Sequence, residues 1–249
     1  MRRMTAFREA ARLSSRVGTT RVKEAVSRAL FKDTADAWDA WYGAFHRAED
    51  SELGPLAKRL GRLARGGRLL EVGCGDCRLL AALAGLCREA HGVDPSERAL
   101  KFARRSVRGL PNVRLGRLRG WSLPYADATF DAVVCQRTLQ HLDTEAALVL
   151  LGEARRVLRP DGMLAFNLPN FHHEAHLRAL TTPGASPWPS LTRPRYWTAA
   201  MLRTALPRLG LRIVSLKVGA WIDVVAQQSA TKGRRPRAAQ KSAKTPAVR

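Results

Sequence analysis

The sequence predicts an α/β domain built on a mostly parallel sheet that helices cover on both faces. Between residues 66 and 229, short apolar runs alternate with segments whose leucines and alanines recur at helical spacing. This alternation is typical of parallel strands joined by helical crossovers. The chain has 249 residues, of which 45% are hydrophobic, and this is enough for one domain with a full core and extra segments at its ends.

The chain before residue 66 predicts a helical, basic N-terminal cap over residues 1–65. Residues 1–30 have a basic helical pattern, and residues 33–65 predict one or two further helices that stop at Gly66 and Gly67. Residues 1–30 lack the apolar centre of a secretory signal. Three interpretations stay open for them: an organelle transit peptide, a basic helix packed on the domain, and a helix that lies on a membrane surface.

The strands and helices of the domain follow in a regular order. They are predicted as strand 68–72, helix 77–90, strand 91–94, helix 96–107, strand 112–118, strand 130–136, helix 144–158, strand 162–170, helix 198–210, strand 211–218 and strand 222–229. Ser96 suits the N-cap of its helix, and Pro160 ends the helix before it. The last two strands are too close for a crossover and are expected to pair antiparallel. Residues 230–249 contain no acid and almost no large apolar side chain, which predicts a disordered basic tail.

Charge and cysteine content indicate the binding partners and the cellular compartment of the protein. The formal net charge is +22, which favours contact with polyanions such as nucleic acid or an anionic membrane surface through the basic N-terminus and tail, although a biased genome composition also explains it. The cysteines suggest no disulfide framework, and no apolar run approaches the length of about 20 residues that spans a bilayer. A cytoplasmic protein is expected, with peripheral membrane association left open. The cysteines are Cys74, Cys77, Cys87 and Cys135.

The loop after the first predicted strand is the first candidate site. Leu69–Leu80 reads LLEVGCGDCRLL. Ligands of open parallel sheets bind at the carboxyl ends of the strands, where the strand order reverses. Gly73 and Gly75 have no Cβ, so the backbone can turn sharply there and a ligand can lie against it. A tight turn alone would explain an isolated Gly-x-Gly, but here a buried strand precedes it and a helix follows.

A carboxylate on the second strand supports a nucleoside ligand. Asp94 lies 19 residues after Gly75, at the end of that strand, where a carboxylate can accept both ribose hydroxyls. The alternative role for Asp94 is a cap on the helix that starts near Ser96. Arg78 stands where the dinucleotide fingerprint has its third glycine, and Glu71 suits a positively charged amino group better than a pyrophosphate. A nucleoside ligand without phosphates fits these residues, and a nicotinamide oxidoreductase is disfavoured.

Four segments together resemble a known family. They are LLEVGCGDCRLL, GVDPSERAL, LPYADATFDAVVCQRTLQHL and EARRVLRPDGML. Their order and spacing over residues 65–170 are similar to those of class I S-adenosylmethionine-dependent methyltransferases, above all the type 11 or UbiE-like group. The resemblance implies a doubly wound, Rossmann-like, seven-stranded and mostly parallel sheet with an antiparallel last strand, as a methyltransferase domain over residues 66–229. It also implies S-adenosyl-L-methionine as the cofactor and in-line displacement of its methyl group.

The resemblance assigns roles to residues of the first two motifs. It implies that Gly73 and Gly75 line the methionyl side of the cofactor, and that Glu71 holds that end directly or through water. Asp94 would bind the ribose hydroxyls, with Pro95 beside the adenine.

Two positions depart from the family pattern. Arg119 stands where an acid near the adenine amino group is usual, so adenine contacts are expected from the backbone around Gly120 and from Trp121. Cys77 replaces the third glycine of the first motif, where many members vary.

The loop after the fourth strand holds the candidate catalytic residue. The resemblance places this loop beside the transferable methyl group, so His141 could take a proton from the acceptor as a general base. A structural role is the alternative for His141. Gln136, at the end of the strand, is expected to touch the cofactor.

No metal site is expected. Cys74-x-x-Cys77 has no second pair at ligand spacing, and the glycine loop already explains this segment. His172 and His176 would share a helix face, but HHEAH is not a zinc signature, and the alternative is a polar loop or helix at the mouth of the substrate site.

The sequence indicates the methyl acceptor less directly than it indicates the cofactor. An aromatic group in the predicted cap and the Pro-rich segment 171–197 could roof a site for a hydrophobic small-molecule or lipid-like acceptor, or the aromatic side chains could be ordinary core. Methylation of RNA or another polyanion, and a non-catalytic binding protein of the same fold, are the alternatives. The aromatic group is Trp38, Trp41, Tyr42 and Phe45.

Overall fold

The computed structural model describes residues 31–32, 35–40, 42, 53–63, 65–182 and 194–229. The predicted helix over 1–30 and tail over 230–249 lie outside these ranges, as do Trp41 and Phe45. The described residues between 31 and 42 are helical, in agreement with the helix predicted there from residue 33. This short stretch is called the lead-in segment below.

The elements of the domain alternate along the chain as expected. They are α1 (Leu53–Leu60), β1 (Arg68–Val72), α2 (Arg78–Ala84), β2 (Glu89–Asp94), α3 (Glu97–Ser106), β3 (Val113–Arg117), β4 (Phe130–Cys135), a 3₁₀ helix (Leu139–His141), α4 (Thr144–Val157), β5 (Leu158–Pro169), α5 (Glu174–Thr181), α6 (Ala199–Arg208), β6 (Leu211–Val218) and β7 (Trp221–Gln228). No helix within the described ranges is both long and apolar enough to cross a membrane.

The strands form one seven-stranded sheet in the order β3-β2-β1-β4-β5-β7-β6. Strands β1 to β5 run parallel, and β7 is antiparallel to both β5 and β6. The predicted doubly wound sheet with an antiparallel last strand is therefore confirmed. The strand order reverses at β1, between β2 and β4, so the carboxyl ends of these three strands are where a ligand is expected.

Both faces of the sheet are buried, as the apolar composition of its strands predicts. Successive residues point to opposite faces, so Leu70 and Leu69 belong to two separate hydrophobic clusters. Leu80 of α2 packs in one cluster and Leu150 of α4 packs in the other. Helices therefore cover the two faces and leave the carboxyl edge of the central strands open for function.

Long-range contacts move two predicted boundaries. The helix predicted over 77–90 ends at Ala84, because the side-chain amide of Asn112 donates to the carbonyl oxygens of Ala84 at 2.8 Å and Cys87 at 3.1 Å. The fifth strand starts at Leu158 rather than residue 162, because Leu158 pairs with Phe130 before a bulge interrupts the ladder. The predicted cap at Ser96 is confirmed by its Oγ, which accepts the backbone N–H of Ala99 at 3.0 Å.

Candidate active site

A cavity of about 90 Å³ opens at the carboxyl ends of β1, β2 and β4. Of the residues predicted to form the site, those that line the cavity are Gly73, Asp94, Pro95, Trp121 and His141. Glu71, Gly75, Gly120 and Gln136 are not part of its lining, and neither is the exposed Arg119. The sheet topology thus brings the first two motifs and the loop after β4 to one place.

Asp94 ties the glycine loop to the second strand. Its buried carboxylate accepts the backbone N–H of Gly75 at 2.9 Å on Oδ2 and that of Ser96 at 2.8 Å on Oδ1. Each carboxylate oxygen has room for a further hydrogen bond beyond these. Asp94 can therefore hold the loop and still accept two hydroxyl groups, as binding of a ribose requires.

The electrostatic setting of Asp94 is unusual for a carboxyl group. Burial raises its pKa to about 6, and the nearby carboxylates Asp39 and Asp76 act in the same direction. The backbone N–H groups of Ser96 and Gly75 oppose this shift by donating to the charged form. Asp94 consequently takes up a proton within an accessible pH range.

This shift predicts a pH-dependent affinity for a nucleoside ligand. A ribose that donates two hydroxyls needs the ionised carboxylate, and below about pH 6 a proton must leave before the ligand binds. We expect the dissociation constant of S-adenosylmethionine to rise about tenfold per pH unit below that value and to be flat above it. Calorimetric titrations from about pH 5 to 8 measure this; a flat profile across the whole range would contradict it.

Side chains from other segments of the protein occupy the space beside Gly73 and Gly75 that a Cβ atom would need. Gly73 and Gly75 have positive φ values of 70° and 54°, which glycine adopts without strain. A Cβ on Gly73 would overlap the side chain of Thr138, and one on Gly75 would overlap the hydroxyl of Tyr42. The Thr138 hydroxyl also donates to the Val72 carbonyl oxygen at 3.2 Å. Thr138 and Tyr42 therefore shape the loop; no sequence signal indicated Thr138, and Tyr42 stood out only as an aromatic.

The contact at Gly75 can be tested by a pair of substitutions. Gly75→Ala should destabilise the protein through its φ, by about 1–2 kcal/mol, and further through overlap with the Tyr42 hydroxyl. Tyr42→Phe removes that oxygen and leaves a ring carbon at an ordinary 3.5 Å. We expect the double variant to be more stable than the sum of the single effects by about 1 kcal/mol in urea unfolding. Simple additivity would contradict the contact.

Glu71 lies buried beneath the loop. Burial raises its pKa well above the ordinary value, Asp76 and Asp94 add to the shift, and a backbone hydrogen bond from Leu80 opposes it. Its Oε2 is buried without a hydrogen-bond partner among the described residues. An orphaned carboxylate oxygen in an acidic surrounding fits a cationic group, such as the amino group of a methionyl moiety.

The shift of Glu71 predicts that Glu71→Gln stabilises the ligand-free protein near neutral pH. The folded state holds the Glu71 proton more tightly than the unfolded state, so wild-type stability is lost as pH rises above about 4.3. We expect the variant to gain about 1–3 kcal/mol at pH 7 and little at pH 4, by urea unfolding. Glu153→Gln is the matched control with the opposite sign, because hydrogen bonds from Arg156 lower the Glu153 pKa. A stability loss in Glu71→Gln at pH 7 would contradict this account.

The lead-in segment covers the cavity with aromatic side chains. Trp38 and Tyr42 line the cavity, and the ring of Phe31 meets that of Trp121 edge-on at 5.0 Å. Asp39 anchors the segment to the start of α3, since its Oδ1 accepts the Ser96 hydroxyl at 2.5 Å. The described part of the aromatic group therefore roofs the cofactor cavity, and residues 183–193 of the Pro-rich segment lie outside the described ranges.

His141 lies in the 3₁₀ helix after β4, which the sequence did not predict. Its ring is 4.5 Å from that of Trp38, between centroids. The side-chain amide nitrogen of Gln140 lies 3.0 Å from His141 Nε2 and, as an N–H donor, makes that nitrogen an acceptor. The role of His141 as a base stays a prediction.

Among the candidate metal ligands, His176 contacts the backbone instead of another ligand. The His176 Nδ1 lies 2.9 Å from the Asn170 carbonyl oxygen. Cys74 and Cys77 are buried free thiols. Within the ranges that the structure describes, no three His, Cys, Asp or Glu side chains lie close enough to hold a metal ion.

Comparison with known proteins gives a consistent picture. Residues 70–166 match the family described as a methyltransferase domain. A ubiquinone biosynthesis O-methyltransferase of Thiobacillus denitrificans is 31% identical over 122 residues, which cover 46% of this chain and 50% of that protein. An uncharacterized protein of Mycobacterium tuberculosis is 33% identical over 195 residues, 76% of this chain and 62% of the relative.

A solved structure shares the fold. The S-adenosylmethionine-dependent methyltransferase from Methanosarcina mazei superposes with a TM-score of 0.59 at 20% identity, over 69% of this chain and 97% of that one. The chain spans about half the length of the first curated relatives it matches. Residues 70–166 of this chain therefore match a methyltransferase domain, and the seven-stranded sheet around them has the fold of the S-adenosylmethionine-dependent methyltransferase from Methanosarcina mazei.

Proposed function

We propose that the protein transfers a methyl group from S-adenosylmethionine to a small-molecule or lipid-like acceptor. The observation that supports this most strongly is the geometry of Asp94, whose carboxylate oxygens are oriented by Gly75 and Ser96 and keep acceptor capacity beside the cavity. The cavity thus offers an oriented carboxylate for a ribose, and the buried carboxyl group of Glu71 lies beneath the glycine loop.

The residues present fit this cofactor. Asp94 would hold the ribose, Pro95 and Trp121 would flank the adenine, and the backbone at Gly73 would face the methionyl side. The Asp94 carboxylate adds to the rise in the pKa of Glu71, and a nearby positive charge relieves this repulsion. Burial of these carboxyl groups disfavours their charged form in the ligand-free protein. The same burial strengthens their attraction to a cationic donor.

The chain contributes to the reaction chiefly by positioning. S-adenosylmethionine, when bound, supplies an activated methyl group. Holding an acceptor in line with it can supply about 7–11 kcal/mol of the barrier reduction. Trp38 and Tyr42 exclude water over the cavity, and His141 beside them can accept a proton from the acceptor.

Two observations support a hydrophobic acceptor. The roof of the cavity is aromatic in its described part. The relative from Thiobacillus denitrificans carries the name of an O-methyltransferase of ubiquinone biosynthesis, which is compatible with an oxygen nucleophile on an apolar frame.

A nucleic-acid acceptor is the second candidate, supported by the net charge of +22. The experiment that separates the candidates is incubation with methyl-labelled S-adenosylmethionine and a whole-cell extract, followed by fractionation into lipid, small-molecule, protein and nucleic-acid pools. We expect label in the lipid or small-molecule pool, and none with Asp94→Ala. Label in RNA would favour the second candidate, and donor binding without transfer to any pool would favour a non-catalytic protein.

A further inference from the structure

A second, larger cavity of about 640 Å³ lies beside the first at the same edge of the sheet. Arg137 lines both cavities, so the two are neighbours. We propose that Asn167 binds a carbonyl oxygen of the methyl acceptor in this second cavity. The inference rests on the methyl transfer proposed above and deepens it, because it names a specificity-determining residue and the chemical class of the acceptor.

The side-chain amide of Asn167 has one end held by the protein and one end at the cavity. Asn167 belongs to β5, lines the second cavity and is only 8% exposed. Its Oδ1 accepts the backbone N–H of Arg137 at 2.8 Å. Because a backbone N–H can only donate, this bond fixes which end of the amide is the oxygen. The other end, Nδ2, has no hydrogen-bond partner within the described ranges, so its two N–H groups are available to a ligand.

The other two asparagines of the chain use the same atom inside the protein. Asn112 Nδ2 donates to two carbonyl oxygens at and beyond the end of α2, at 2.8 and 3.1 Å. Asn170 Nδ2 donates to the carbonyl oxygen of Gly219 at 2.9 Å. Buried amide donors are normally satisfied in this way, since an unsatisfied donor is unfavourable. Asn167 departs from this pattern where a cavity reaches its amide, which indicates a hydrogen-bond partner that a ligand supplies.

The neighbours of Asn167 across the sheet do not supply this partner. Asp223 lies directly opposite on β7, so its side chain is on the same face of the sheet. Asp223 Oδ1 lies 3.3 Å from Nη2 of Arg59 in an ion pair, and its carboxylate makes no hydrogen bond with the Asn167 amide. Lys217, opposite Asp223 on β6, carries only donors in its side chain. The ligand must therefore bring the lone pair that the amide lacks.

A carbonyl oxygen meets this requirement better than a hydroxyl group or a protonated amine. Donors alone satisfy a carbonyl oxygen, whereas a hydroxyl group also needs an acceptor for its hydrogen and a protonated amine has no lone pair. Trp221 and Leu56 add an aromatic and an aliphatic surface to the lining, which suits a flat apolar frame around the carbonyl group. The substrate class is therefore a ketone-type carbonyl compound with a flat apolar frame.

The position of Asn167 also connects the acceptor to the donor site. Its Oδ1 holds the N–H of Arg137, and the next residue, Thr138, occupies the space beside Gly73 in the first cavity. One amide group therefore positions the loop that contacts the glycine loop and presents N–H donors to the second cavity. An acceptor bound at Nδ2 is thereby held in a fixed relation to the donor.

A matched pair of probes tests the amide of the wild-type chain by nuclear magnetic resonance. Isotopically labelled asparagine gives three side-chain amide signals. The protein is titrated with indanone and with indane, which has the same rings and lacks the carbonyl oxygen. We expect indanone to shift the Asn167 amide protons downfield and to leave those of Asn112 and Asn170 nearly unchanged, because their donors are already used. No saturable shift at Asn167, or an equal shift with both probes, would overturn the proposal.

Asn167→Asp removes the donor and keeps the acceptor that holds Arg137. One carboxylate oxygen can still accept the Arg137 N–H, while the other replaces Nδ2 and repels a carbonyl oxygen. The variant also lacks the Asn167 amide signal, which assigns that signal in the wild type. At about pH 8, where the new carboxyl group is ionised, we expect the dissociation constant of indanone to rise at least about fivefold and that of indane to change less than about twofold.

Gln227→Glu is the matched control for this variant. It makes the same amide-to-acid change on β7, at a residue that is not part of the cavity lining. Both dissociation constants should stay within about twofold of the wild-type values. An equal loss of indanone affinity in both variants, or no loss in Asn167→Asp, would overturn the site. If Asn167→Asp does not fold, the titration of the wild-type amide still decides the proposal.

Failure of this proposal is distinguishable from failure of the proposed function. The probe titrations contain no donor, so their outcome does not depend on binding of S-adenosylmethionine. Donor affinity of Asn167→Asp should stay within about threefold of the wild type, because Asn167 does not line the first cavity. No carbonyl recognition with intact donor binding overturns the acceptor site alone. In the labelled extract, a hydrazine reagent that captures ketones should retain the methylated product, and label only in the uncaptured fraction would overturn the assignment.

Discussion

Replacing Asp94 with alanine is expected to weaken binding of S-adenosylmethionine by roughly 100- to 10,000-fold. The variant loses two hydrogen bonds from the ribose hydroxyls to a carboxylate, each contributing about 1.5–3 kcal/mol. It also releases the backbone N–H of Gly75 that the carboxylate now accepts, so the loop is less well ordered for the ligand. Calorimetric titration with the donor measures the loss.

Asp131→Ala is the matched control for this result. The Asp131 carboxylate also accepts a backbone N–H, that of Arg68 at 2.8 Å, but it lies near the amino end of β4, away from the cavity. We expect a comparable loss of stability in both variants and a loss of donor affinity only in Asp94→Ala. A folded Asp94→Ala protein with undiminished donor affinity would contradict the role assigned to this carboxylate.

Substituting Gly73 with alanine is expected to lower the free energy of unfolding by about 2–4 kcal/mol. The residue has a φ of 70°, and an added Cβ would overlap the Cβ, Cγ2 and Oγ1 atoms of Thr138, which are too near its backbone to swing away. Relief requires a shift of the loop after β4 or of the glycine loop itself, and either would disturb the cavity. Urea unfolding gives the stability change, and donor titration gives the effect on the site.

Gly85→Ala serves as the comparison for Gly73→Ala. Gly85 has a φ of −65°, and a Cβ there would meet no atom within 4 Å. We expect its stability to stay within about 0.5 kcal/mol of wild type, as at ordinary surface positions. Equal losses of unfolding free energy in Gly73→Ala and Gly85→Ala would contradict the requirement for glycine beside Thr138.

The sequence predicted the elements whose signals are local. The alternation of apolar runs and helical spacing placed every strand of the sheet, and Ser96 was identified as a cap because its hydroxyl acts on the backbone three residues on. The glycine loop and Asp94 were found because their spacing reflects a single βαβ unit. Their hydrogen bond joins residues 75 and 94 within that unit.

The features that the sequence did not predict depend on contacts between distant segments. Thr138 fills the space above Gly73 from a loop 65 residues away, as measured by its hydrogen bond to the Gly73 carbonyl oxygen. Asn112, in the turn before β3, donates to the last carbonyl oxygen of α2, so the end of this helix depends on a distant side chain as well as on the local Gly85 at its C-cap. The positive φ of Arg137 and its place between two cavities depend on contacts with β5 and β7. The residues around it in the sequence do not distinguish it from an ordinary loop arginine.

Every role proposed above depends on S-adenosylmethionine binding between the glycine loop and Asp94. Competitive calorimetry with the wild-type chain tests this binding most directly, by titrating S-adenosylmethionine in the absence and presence of S-adenosylhomocysteine or reduced nicotinamide dinucleotide. We expect saturable one-to-one binding that S-adenosylhomocysteine displaces and the dinucleotide does not. A folded protein that shows no heat of binding with the donor, or that binds the dinucleotide in its place, would contradict the account.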